Sequence, residues 1–210
     1  MKRRLSIGLL SLGLVLGVVY PLVAGDQAEP TCLKCRVKGL VGAMRAGDVE
    51  RSMSYLAEDF ELRDAAGNQR FDRDAMPGVL QWDAALNAKL AFSALEWEGD
   101  TVRGEFSQTN DLLDLLGLKA RRFKIEFEFS GDLIRRQVYD VLPTDGPSVA
   151  QALEPFLEWA NATHTDELTA IYPDGRWVYG AAAAQGWVEL LQAWRVESEI
   201  ASAGPTAPAP

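Results

Sequence analysis

The stretch RRFKIEFEFSGDLIRRQVYDV, Arg121 to Val141, constrains the fold more than any other part of the chain. Its first half alternates strictly, with Phe123, Ile125, Phe127 and Phe129 on one side and Arg122, Lys124, Glu126 and Glu128 on the other. A period of two belongs to a strand with one dry and one wet face, and SGD supplies the turn into a second strand. Such a hairpin must have its dry face covered by another layer. Three phenylalanines and an isoleucine on that face either fill a core or wall a pocket.

A second pair of strands is expected just upstream, in KLAFSALEWE, GD and TVRGEFSQTN. Helices precede them. In RVKGLVGAMRAGDVERSM, Val37, Leu40, Val41 and Met44 recur at helical spacing, AGD breaks the pattern, and Asp48 is placed to cap a second helix. That second helix is predicted to present Met53, Leu56 and Phe60, before FELRD becomes extended. A third helix is expected around Val79, Leu80, Trp82, Asp83 and Leu86. After Pro143 the texture turns helical again, with stripes at Val149, Leu153, Phe156 and Leu157, and at Trp187, Leu190, Leu191 and Trp194. The expected fold class is therefore α+β: about five strands, mostly antiparallel, forming a curved sheet wrapped on N-terminal helices, with an added C-terminal helical segment.

The ends differ from this middle. MKRR followed by the uncharged LSIGLLSLGLVLGVVYPLVAG has the form of a secretory signal ending near Gly25, or of an uncleaved anchor whose span is residues 5–24. Both readings export the domain, to a secreted or periplasmic location or to the outer side of a membrane. The expected organisation is a leader over 1–25, a linker with a Cys-x-x-Cys pair over 26–35 and a barrel domain over 36–143. A helical extension follows over 144–198, then a disordered Pro/Ala-rich tail over 199–210. In an exported chain Cys32 and Cys35 suit a small local disulfide. A formal net charge of −9 repels phosphate backbones, so nucleic acid is not an expected partner.

The run GLVGAMRAGDVERSMSYLAEDFELRD, with the later LEWEGDTVRGEFSQTNDL and FKIEFEFSGDLIRRQVYDV, resembles the SnoaL-like domains of the nuclear transport factor 2-like superfamily. The resemblance covers Arg36 to Leu142 and lies in the order of elements. It implies a cone-shaped α+β barrel enclosing an apolar pocket open at one end, and dimerisation across the sheet, frequent in the family. Fold of this kind leaves function open, because members include isomerases, cyclases, epoxide hydrolases and plain binding domains. In the epoxide-hydrolase-like members an Arg, an Asp and a second Asp do the work. Alignment puts Phe106, Gln108 and Val138 at those positions, so that mechanism is not expected.

The expected pocket is lined by Trp82, Phe106, Gln108, Phe123, Ile125, Phe127, Phe129 and Val138, with Gln108 as its polar contact. Two carboxylates, Asp140 near the rim and Asp83 on the third helix, are the candidate catalytic bases. Against that stands a solvated strand-end carboxylate at Asp140. If Val138 faces inward, Asp140 does too, and Tyr139 faces away. With His164 as the single histidine, a multi-histidine metal site cannot be assembled, and neither metal nor cofactor is expected. The expected function is non-catalytic binding of a small hydrophobic molecule or a protein partner. The alternatives are an isomerase- or cyclase-like enzyme with a pocket Asp as base, and a membrane-tethered homodimeric module.

Overall fold

A computed structural model describes residues 32–203. The leader, most of the linker and the last part of the tail lie outside the described residues. Cys32, the first described residue, is joined to Cys35 by a disulfide, and its Sγ accepts the Cys35 amide at 3.3 Å. Helix α1 (Leu33–Arg45) buries Val37, Leu40 and Val41. Gly47, at φ +65°, ends it in a conformation that glycine adopts without strain. Asp48 then caps α2 (Val49–Met53), its carboxylate accepting the Arg51 amide at 2.9 Å.

The second helix is shorter than its spacing suggests. Leu56 and Phe60 belong not to it but to strand β1 (Leu56–Asp64). A spacing of four is also twice the strand period, so Leu56 and Phe60 fall on one face of β1, and both are buried. Next come β2 (Arg70–Asp72), α3 (Met76–Ala85), and the hairpin β3 (Lys89–Glu98) with β4 (Thr101–Thr109). Then follow α4 (Asp111–Leu115), the hairpin β5 (Arg121–Ser130) with β6 (Leu133–Val141), and the helices α5 (Val149–Thr163), α6 (Thr165–Ile171) and α7 (Ala181–Ala203). Residues 199–203, expected in the tail, continue α7.

The six strands form one mixed, curved, unclosed sheet in the order β2-β1-β6-β5-β4-β3. Only β1 and β6 pair in parallel; the other neighbours are antiparallel. Helices α1 and α3 lie on the concave face over Phe106, Phe123, Ile125, Phe127 and Phe129, all buried. The convex face carries charges in cross-strand pairs, among them Arg122 with Glu105 and Arg103 with Glu126.

The C-terminal helices are more than an addition to this cone. They build a second buried cluster around Phe156, Trp187 and Leu191, and α3 contributes Trp82 and Leu86 to it. Helix α3 therefore serves two cores at once.

Candidate functional site

Between the concave sheet and the helices lies a cavity of about 470 Å³, within the range of small-molecule sites. Its apolar wall is drawn from α1 (Leu40, Val41), β1 (Leu56), α3 (Leu80) and the sheet (Phe106, Phe127). The C-terminal segment closes one side with Tyr172, Trp177 and Tyr179. Gly78 allows this closure, since a Cβ there would stand 3.3 Å from the Tyr179 carbonyl oxygen.

Most of the expected pocket residues line this cavity: Trp82, Phe106, Gln108, Phe123, Ile125 and Phe127. Phe129 and Val138 do not. Phe129 is buried in the core beyond the cavity, paired with Ile134. Val138 lies opposite Glu126, on the charged convex face, and Asp140 lies opposite Lys124 and is exposed there. The inward residues of β6 are instead Gln137 and Tyr139.

A single irregularity explains this reversal. Near the turn Phe129 pairs with Ile134, but Glu128 pairs with Arg136, so β6 carries one extra residue. A one-residue slip exchanges the two faces of a strand. Counting by twos from the buried Ile134 puts Val138 and Asp140 inside; the bulge puts Gln137 and Tyr139 there.

Asp83 does face the cavity. It stands three residues after Leu80 and seven after Met76, in the apolar stripe of α3, where a carboxylate is out of place. Its backbone is fixed by the helix end: the Ala88 amide donates to the Asp83 carbonyl at 2.9 Å, and Asn87 takes φ +52°. The side chain accepts a hydrogen bond from Gln108 Nε2 at 3.3 Å. Its accessible surface faces the cavity, and the protein around it solvates charge poorly. Burial pushes its pKa up to about 6, with the Gln108 bond partly opposing. Asp83 therefore changes charge near neutral pH.

Further polar side chains line the cavity, among them Gln69, Arg121, Tyr139 and Tyr179; Tyr139 had been expected to face away. The Tyr139 hydroxyl donates to Gln69 Oε1 at 2.6 Å, and burial raises its pKa to about 12. Gln69 also hydrogen-bonds the Tyr179 side chain, whose pKa is raised first by burial and then by the Asp83 charge. Arg121 sits on the inner face of β5, two residues before Phe123, with its guanidinium 5.1 Å from that ring's centre. Burial lowers its pKa, while the Tyr139 and Tyr179 hydroxyls act in the opposite sense. The alternation of β5, continued one step back from Phe123, already put Arg121 on the dry face. For Tyr179 the sequence carried no signal.

No protein-family model matches the chain, and no curated protein sequence matches it. Solved structures do. A protein of unknown function from Cytophaga hutchinsonii, described as NTF2-like, aligns at TM-score 0.45 and 11% identity, over 56% of this chain and 95% of its own. A candidate ketosteroid isomerase from Kribbella flavida aligns at TM-score 0.47 and 14% identity, over 55% and 82%. A candidate polyketide cyclase, IdmH, from Streptomyces antibioticus aligns at 0.46 and 16%, over 59% and 99%. At such identities no neighbour's activity carries over to this chain. Among the described residues no cluster of three or more His, Cys, Asp or Glu could hold a metal ion, and no helix is long and apolar enough to cross a membrane.

Proposed function

We propose that the domain binds one small, largely apolar molecule in the cavity between the sheet and helices α1 and α3. The observation that supports this reading is the cavity itself, about 470 Å³ and walled by Phe106, Phe127, Leu80 and Leu56. A well-packed interior has few voids larger than a water molecule, so an apolar space of this size is a site for a guest. Trp82 and Trp177 line it and report on occupancy. The test is a titration of the full chain with 1-decanol, followed by tryptophan emission. Saturation at one molecule per chain supports the reading, and Val79→Phe, which fills part of the cavity, weakens binding. A linear, unsaturable response refutes it.

Asp83 favours a second reading, proton transfer. A carboxylate with a pKa of about 6 in an apolar cavity is suited to accept a proton from carbon next to a carbonyl. In this role Asp83 removes the α proton of a ketone and returns it, while the other polar groups of the cavity hold the oxygen. Deuterium exchange into 2-methylcyclohexanone, followed by NMR, tests the reading. Exchange above the buffer rate that disappears in Asp83→Asn supports it. Identical rates with and without protein remove the enzyme and leave the binding site.

Export through residues 1–25 is proposed from their composition alone. The mass of the chain recovered from its native host decides between a removed leader and a retained anchor.

A further inference from the structure

The polar groups of the cavity are arranged as a gradient. Along the inner face of β5 the residues run Arg121, Phe123, Ile125, Phe127, from a cation into apolar wall over about 20 Å at a strand's rise per residue. Beside the cation, Tyr139 faces inward from β6 and Tyr179 from the segment before α7. Asp83 belongs to the same end of the cavity, because Gln108, which donates to it at 3.3 Å, is the cross-strand partner of Arg121; among the described residues the two charged groups form no salt bridge.

Most arginines on the sheet meet carboxylates: Arg122 meets Glu105, Arg136 meets Glu128, and Arg70 meets Glu61. Arg121, on the inner face, does not. Among the described residues it forms no salt bridge and no side-chain hydrogen bond, and the ionisable groups that act on it are the Tyr139 and Tyr179 hydroxyls, neutral at pH 7. A partly buried guanidinium without a carboxylate is costly, because its five donors lose water and gain little. The planar fork matches a carboxylate in two parallel hydrogen bonds.

From this geometry we infer that the cavity's ligand is an amphiphile with a carboxylate head, seated with the head on Arg121 and the apolar body along Phe123, Phe106 and Phe127. The inference rests on the binding reading above and names the class of guest. The Tyr179 hydroxyl supplies a further hydrogen-bond donor to the same head, and Tyr139, whose hydroxyl donates to Gln69, borders it.

Three probes of one chain length test the inference by calorimetric titration of the full chain at pH 7.5: sodium decanoate, 1-decanol and decyltrimethylammonium. The expected order is decanoate about tenfold or more tighter than decanol, as one charge-assisted bidentate contact provides, with the ammonium weakest. Arg121→Met, which keeps the apolar stem, removes the preference for decanoate over decanol. Arg121→Lys keeps part of the preference, because it retains the charge but not the fork. Should decanol or the ammonium equal or exceed decanoate in the unaltered protein, the inference is overturned while the binding site stands. If none of the three binds saturably, the binding reading itself fails. The comparison within the unaltered protein is decisive even if Arg121→Met does not fold.

Discussion

The two apolar clusters draw on the same kinds of side chain, but one is solid and the other hollow. In the C-terminal cluster Trp187 and Phe156 are wholly buried, Trp187 stacks on Trp177 at 4.5 Å, and Phe156 lies 5.6 Å from Trp187. Under the sheet, Phe106 and Phe127 are just as well shielded from outside, yet they border a cavity. The cause is shape. Helices pack ridge into groove at separations of about 8–10 Å and leave little between them. A curved sheet bends away from the straight helices that span it, and the concavity holds space that side chains do not fill. The second cluster keeps that space open by bracing α3 through Trp82 and by carrying Tyr179 to its mouth.

The contrast can be broken at several points. The largest effect is expected in the solid cluster: Trp187→Ala costs about 3–5 kcal/mol in urea unfolding, since nothing can collapse into the space left. A cost under about 1 kcal/mol means that this cluster is not solid.

Next comes the ionisable wall of the hollow one. The folded-state pKa of Asp83 is raised from 3.8 to about 6, so the folded protein holds a proton that the unfolded chain releases. Asp83 therefore does not weaken the fold below about pH 4, and destabilises it increasingly as pH rises from 4 through 6. Asp83→Asn, which can still accept from Gln108, is expected to stabilise by up to about 3 kcal/mol at pH 8 and to change little at pH 4. Equal effects at the two pH values put Asp83 in water.

A cavity wall is cheaper to trim than a packed core. Leu90, half-buried at the cavity, is expected to cost about 1 kcal/mol on Leu90→Ala, because its methyl groups border space already empty. The smallest effect belongs to the convex face. Arg122→Ala, which removes the exposed partner of Glu105, is expected to change stability by less than about 0.5 kcal/mol, measured in the same urea titrations.

Much of this architecture was readable from local pattern. The alternation of Phe123 to Phe129 fixed a strand and its dry face, Asp48 marked a helix start, and Gly47 marked the stop before it. Asp83 was visible as a carboxylate within the apolar run of α3. Features that two periods share, or that break one, were hidden. Leu56 and Phe60 imitated a helix because a spacing of four fits a helical turn as well as two strand repeats, and the extra residue of β6 turned Val138 and Asp140 outward where unbroken alternation put them inside. A bulge leaves no mark in composition; it is chosen by how two strands fit.

From its own residues the chain determined a sheet with one apolar face, helices to cover it, and an acidic exterior. Periodicity is a local property that each segment carries with it. Whether that face would be filled or left open, and which polar groups would look into it, depended on the curvature of the sheet, a single bulge and the docking of Tyr179. Those are relations between segments far apart in the chain, settled only when the segments pack together.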